Sequence, residues 1–322
     1  MIPFGTTKDG REVHKVTLFD GNLSVSILTW GAVVQDVRLA GVDRSLTLGS
    51  DTLSDYEGAM RYHGSLIGPI VNRISTSRVL IDGMMYELER NMDGRLHIHS
   101  GSDSTLLQVW DVVEVTNTSL TLRCDLVDGQ CGLPGNRTIE ATYSISAPAT
   151  LSLAITGTTD AATLMNFANH SYWNFDGTED WSGHTLHVHA DQFLPTTDDF
   201  YPTGEIADVE GSALNFRNPR VIDPQNPPMD TNFCLSTDPQ PLREVLTLTG
   251  ASGVRMKVHT DQNGIQVYDG RHAIRPGKKA YEGLAIEAQN WPDAPTHRGF
   301  PSIKVTPDTP YTQDTEWSFF KP

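Results

Sequence analysis

An all-β fold, built as a large antiparallel β-sandwich, is what this 322-residue chain predicts, and three observations predict it. Apolar residues recur at every second position in many short segments, turn-forming Gly, Pro, Asp and Asn fall between them, and few windows sustain a helical period. Strands alternating with helices, the pattern of a parallel sheet, are absent.

Taken in order, "EVHKVTLF" (12–19) and "LSVSIL" (23–28) each put their apolar residues on one strand face. In "RVLIDGMMYELE" (78–89), Asp82-Gly83 separates two such runs, the two-residue signal for a tight hairpin. "WDVVEVTNTSLTLRCDL" (110–126) repeats the arrangement around Asn117, and "TLSLAI" (150–155) follows. "LMNFANHSYWNF" (164–175) reads as a buried strand, with His170, Tyr172 and Asn174 on one face and Ser171, Trp173 and Phe175 on the other. The polar set then faces a cavity and the bulky set the core. The Pro-rich stretch "NPRVIDPQNPPMDTNF" (218–233) fits a long ordered loop, and "VRMKVH" (254–259) and "SIKVTP" (302–307) resume the alternation. Between them, "EGLAIEAQNWPDAPTHRGFPS" (282–302) places Ala285, Glu287 and Gln289 opposite Leu284, Ile286 and Ala288. Without an internal repeat or a low-complexity tract, one domain over 1–322 is expected.

Composition narrows the function. Acidic residues outnumber basic ones 40 to 24, for a net charge of −16, so the field around the protein repels phosphate backbones and anionic lipid. Nucleic acid and membrane partners are not expected. The N-terminus lacks a basic segment followed by an apolar one, and the most apolar stretch, "LSVSILTWGAVV" (23–34), is too short and too polar to span a bilayer, so a cytoplasmic location is expected. Cys124, Cys131 and Cys234 are odd in number with no C-x-x-C pair, and read as reduced structural thiols. Neither a G-x-G-x-x-G turn nor a Walker loop is present.

Two segments offer chemistry. Glu287 sits mid-strand in an apolar run, where a carboxylate is either held in a structural salt bridge or tuned for proton transfer. His170 is either a buried histidine satisfied by neighbouring amides or a functional group. The His-x-His pairs of "LHIHSG" (His97, His99) and "HTLHVHAD" (His184, His187, His189) aim both rings one way on a strand, as some β-barrel metal sites do, but solvent-facing alternation explains "HTLHVH" equally and no zinc spacing supports it. No metal and no cofactor are expected.

Together these segments resemble the aldose 1-epimerases, also called galactose mutarotases. The matches run in order: "LTWGAVV" near the start, "GPIVNRI" (68–74), "LHIHSG" (96–101), "GLPGNRTIEATYS" (132–144), "FANHSYWNF" (167–175), "PTGEIADVEGSALNF" (202–216), "DTNF" (230–233), "GIQVYDG" (264–270) and "IEAQNWPDAPTHRGFPS" (286–302). The N-H-S-Y-W-N box and the E-x-Q…P-D-x-P…F-P-S ending are the specific pieces.

The resemblance implies the galactose mutarotase-like supersandwich, and a free aldose such as galactose or glucose as substrate of a monomer or homodimer. It makes Glu287 the general base and His170 the general acid, places His99 near the ring oxygen, and gives Asn72, Arg73, Asp230 and Gln266 the sugar hydroxyls. Asn169, Tyr172 and Asn174 become the shell that fixes the His170 ring, and Trp173 or Trp291 either covers a sugar face or belongs to the core. The chain departs from the family pattern at Pro69, where an arginine is usual, and at Ser100, where glycine is usual. Pro69 implies a flatter preference among galactose, glucose and pentoses. Rival readings are a glycoside hydrolase using Asp230 and Glu287, a metal-dependent sugar isomerase built on the His-x-His pairs, and a non-catalytic sugar-binding protein.

Overall fold

The alternation in the sequence becomes three principal antiparallel sheets in the computed structural model, which describes residues 1–224 and 226–322. The largest has nine strands in the spatial order Asp111–Val115, Ser119–Leu126, Arg137–Ser146, Thr150–Thr159, Tyr311–Phe320, Arg255–Thr260, Arg243–Thr249, Thr185–Val188 and Arg220–Val221. A six-stranded sheet follows the order Tyr172–Trp173, Leu284–Gln289, Gly264–Tyr268, Asp230–Cys234, Gln192–Phe193 and Ala207–Asp208. Ile2–Thr6, Glu12–Asp20, Leu23–Leu28 and Val34–Leu39 form the third. The only α-helix among the described residues is the single turn Leu53–Tyr56, and none is long and apolar enough to cross a membrane.

The expected hairpin is present: Ile81 pairs with Met84 across Asp82 and Gly83, whose φ angles of 48° and 83° are the left-handed pair that a two-residue turn requires. Asp111–Val115 and Ser119–Leu126 likewise pair around Asn117. In Thr185–Val188, Leu186 and Val188 are buried while His187 and the following His189 face outward, so "HTLHVH" is ordinary sheet alternation. The segment 302–307 contributes only Lys304–Val305. In the stretch 218–233, short strands at Arg220–Val221 and Asp230–Cys234 flank the turns, and Gln225 lies outside the described residues.

Residues 164–175 are not one strand. They form pieces of three, Thr163–Leu164, Ala168–Asn169 and Tyr172–Trp173, paired respectively with Lys304–Val305, Leu66–Ile67 and Leu284–Gln289. Where the ladders stop, the asparagines replace them. Asn166 Oδ1 accepts from the N–H of Asn290 at 2.8 Å, Asn169 Nδ2 donates to the carbonyl of Gly64 at 2.8 Å, and Asn174 Nδ2 donates to the carbonyl of Glu282 at 2.7 Å. Side-chain amides thus satisfy backbone groups that the interrupted strand leaves buried.

The core lies between the sheets. Leu122, Leu153, Met256 and Trp317 of the nine-stranded sheet pack with Phe233, Ile265, Val267 and Ile286 of the six-stranded one, and with Val16 and Val25 of the third. Because side chains alternate, the other face of the six-stranded sheet carries Asp230, Asn232, Gln266, Tyr268 and Glu287. Polar residues on a face turned from the core require a purpose, and a pocket opens there.

Candidate active site

The pocket has a volume of about 320 Å³, and Asn72, Arg73, His99, His170, Asp230 and Glu287 all line it. Five separate parts of the chain bring them together. Glu287 comes from the centre of strand Leu284–Gln289, Asp230 from the start of Asp230–Cys234, and His170 from the gap between Ala168–Asn169 and Tyr172–Trp173. Asn72 and His99 stand at the ends of two short paired strands, Arg73–Ile74 and His97–Ile98. Each takes a positive φ, 66° and 53°, and they bind one another twice: the Asn72 N–H donates to His99 Nδ1 at 3.1 Å and the His99 N–H to the Asn72 carbonyl at 3.0 Å.

Glu287 Oε1 and His170 Nε2 are 3.5 Å apart, with both side chains buried. Burial pushes the Glu287 carboxyl well above the usual carboxylate range; the nearby Asp230 charge adds to the rise and Arg73 opposes it. Burial also lowers the His170 imidazole to about 4. Both shifts favour the uncharged forms of the two groups. His99 is held well below its ordinary value by burial first and then by the neighbouring His170 and Arg73.

Each oxygen of Asp230 accepts one hydrogen bond. Its Oδ2 accepts from Arg73 Nη2 at 3.1 Å and its Oδ1 from Gln266 Nε2 at 2.6 Å. Gln266 thus orients Asp230, and it borders a small cavity with Asn72 and Asp230 where the main one does not include it.

The imidazole of His170 is not fixed by Asn169 and Asn174. Those amides are bound to backbone, and His170 Nδ1 has no hydrogen-bond partner among the described residues. Aromatic rings position it instead: Tyr172 at a centroid distance of 5.0 Å and Tyr62 at 5.9 Å, the latter stacked at 24°. Of the expected shell, Tyr172 alone does the work, and Tyr62 joins it. The two histidines of "LHIHSG" also part company, because the positive φ of His99 turns it into the pocket while His97 Nδ1 bonds the carbonyl of Glu89 at 2.8 Å. No group of three or more His, Cys, Asp or Glu placed to hold a metal ion occurs among the described residues.

Trp173 and Trp291 are both buried in apolar clusters away from the pocket. The aromatic lining is Tyr62, Tyr172, Phe200 and Tyr268. His63 also lines the pocket; it stacks on Tyr172 at 4.4 Å, and burial lowers it to about 3. Neither His63, Phe200 nor Arg271 stood out in the sequence, since each lies in an irregular segment where alternation gives no side-chain direction. Pro69 is buried outside the lining, its carbonyl accepting from the Asn166 N–H at 2.6 Å. Ser100, with φ 61°, uses its hydroxyl to accept from the Ile70 N–H at 2.7 Å and donate to the Ile70 carbonyl at 3.0 Å, locking the segment that precedes Asn72.

Comparison with known proteins adds to this geometry. A family model described as Aldose 1-epimerase matches residues 14–318. The chain is 30% identical to the galactose mutarotase of Mus musculus, covering 96% of this chain and 95% of that protein. It is 26% identical to the aldose 1-epimerase of Escherichia coli strain K12, covering 97% and 96% respectively. Among solved structures, the GalM/aldose epimerase homologue from C. elegans superposes with a TM-score of 0.88 at 24% identity, over 96% of this chain and 99% of that one, and so shares the fold.

Proposed function

The chain belongs to the aldose 1-epimerase family, isomerases by class, and from that premise we propose that it interconverts the α and β anomers of a free aldose, with Glu287 as base and His170 as acid. The observation that carries the proposal is the Glu287–His170 pair, 3.5 Å apart, buried, and exposed to the same pocket.

Ring opening removes a proton from the anomeric hydroxyl and delivers one to the ring oxygen as the C1–O5 bond breaks. The reactive form of the pair is Glu287 carboxylate with His170 imidazolium. Transfer of one proton from O1 to Glu287 and of another from His170 to O5 discharges both groups while the C1 aldehyde forms. Burial disfavours both charges, so the same environment that raises Glu287 and lowers His170 favours this step. Rotation about C1–C2 presents the other aldehyde face, and closure returns both protons. The pair holds one proton at the start and one at the end, so no outside donor enters the cycle.

His99 accepts a backbone N–H at Nδ1, which puts its own proton on Nε2, and it serves as a neutral donor to the sugar. Asn72, Arg73 and Asp230 hold hydroxyls of the part of the ring that does not move, with Gln266 fixing Asp230. A hydrolase reading that uses Asp230 as a second free carboxylate is poorly supported, since both its oxygens are occupied by Arg73 and Gln266. The direct test is anomer exchange followed by NMR across a panel of aldoses. Exchange above the buffer rate is expected for at least one; no acceleration for any would reject the proposal.

A further inference from the structure

Phe200 stands at the tip of a turn over the pocket in a conformation that bulky residues avoid. Its φ is 62°, in the left-handed region. The turn is closed by a Thr196–Pro202 bridge and by N–H donation from Phe200 to the Thr197 carbonyl and from Thr197 to the Tyr201 carbonyl, both at 3.0 Å. Outside it, Asp199 takes two bonds from the guanidinium of Arg95, at 2.9 and 3.2 Å.

The guanidinium carbons of Arg73 and Arg271 each stand 5.7 Å from the Phe200 ring centroid. Both cations are already committed, Arg73 to Asp230 and Arg271 to Asp269, so the ring is placed against fixed groups. With Asn72 and Asp230, Phe200 also borders a small cavity behind the main pocket. Of the four lining aromatics, Tyr62 and Tyr172 flank His170, and the Tyr268 hydroxyl accepts the His272 N–H at 2.8 Å. Phe200 has no hydroxyl and offers the pocket an apolar surface alone.

A pyranose has apolar surface to match. Galactopyranose gathers the C–H bonds of C3, C4 and C5 on one face, whereas glucopyranose divides them between its two faces. We propose that Phe200 is a specificity-determining residue, its ring being the platform on which the C–H face of the sugar packs, with galactose-like aldoses gaining most. This inference rests on the mutarotase reading of the same pocket.

The test compares the native protein with Phe200→Asn, Phe200→Ala and Phe200→Tyr. Asparagine tolerates the left-handed conformation, so Phe200→Asn removes the ring without adding backbone strain. For Phe200→Asn and Phe200→Ala the KM for galactose should rise about tenfold with kcat within about threefold, and the KM for glucose should rise less, about threefold. Phe200→Tyr should restore the native preference. A folded Phe200→Asn protein whose galactose KM stays within about twofold of native, or rises no more than that for glucose, overturns the inference. Calorimetric Kd values for the two sugars are measured alongside. A native protein that binds galactose but does not exchange its anomers would sink the mutarotase reading alone, and the same ratios, read in Kd, would still decide the role of Phe200.

Discussion

The main-chain N–H of Asn72 donates to Nδ1 of His99, and this one bond settles what that histidine is able to do. Protonating Nδ1 would break it, so His99 stays neutral and a donor at Nε2 through the physiological range. Two histidines in one pocket are thereby given different chemistry by their surroundings.

Activity should therefore show no inflection near 6.5. The folded His170 titrates near 4, and the raised Glu287 keeps the last proton of the pair until higher pH. We expect kcat/KM to fall as pH drops through about 4, where the pair gains a second proton. A limb near 6.5 that His170→Asn abolishes would mean that His170 titrates far above the value its burial sets.

Glu287→Gln keeps the shape of the site and removes the proposed base. A fall in kcat of about 100-fold or more with little change in KM is expected from anomer-exchange kinetics. The same substitution should stabilise the fold. An unfolded glutamate releases its proton near 4.5 whereas the folded one holds it to higher pH, so at neutral pH the carboxyl opposes folding, and that opposition grows as pH rises from 4.5 toward the folded value. Removing it should raise Tm, read by calorimetry at pH 7. An inactive variant that melts lower than native would contradict the buried-carboxyl account.

His170→Asn should cost a similar factor, and the double variant with Glu287→Gln should lose far less than the product of the two. Proton removal and delivery serve one transition state, so losing either disables both. Multiplicative losses would mean that the two groups act in separate steps.

Asp230→Asn leaves the Arg73 cation without its partner and sets an amide donor in a site that Gln266 and Arg73 now address as donors. KM should rise at least about tenfold, kcat should change less, and Tm should fall, because breaking one half of a largely buried ion pair costs roughly 3 kcal/mol. A KM within twofold of native would remove Asp230 from the sugar-binding set.

Ser100→Ala strands the buried N–H of Ile70, and a loss of about 1–3 kcal/mol should appear as a lower Tm. An unchanged melting curve would show that the Ser100 hydroxyl is dispensable there.

Much of this was legible in the sequence because period-two alternation is a local signal with an unambiguous spatial meaning. It placed the strand carrying Glu287 with its polar face outward, and located the Asp82-Gly83 turn. The stretch 164–175 defeated it, because facing is inferred by continuing one strand and here three partners take the chain in turn; Asn174 consequently points at the Glu282 carbonyl and away from the pocket. Gln266 lies on the expected face, and its bond to Asp230 and its place beside a small adjoining cavity depend on packing that alternation does not report. Phe200 lies in a turn with no period at all.

The nine-stranded sheet has its Tyr311–Phe320 strand at an interior position, joined to Thr150–Thr159 on one side and Arg255–Thr260 on the other. That strand comes after both of its neighbours in chain order, and it is the seam between two blocks built from earlier segments. Until it docks, each block presents an unpaired interior edge, an invitation to wrong pairing with another chain. Completion of the sheet thus waits on the docking of one strand, and Leu284–Gln289, packed through Leu284 and Ile286 into the core beneath that sheet, acquires its final support only with it.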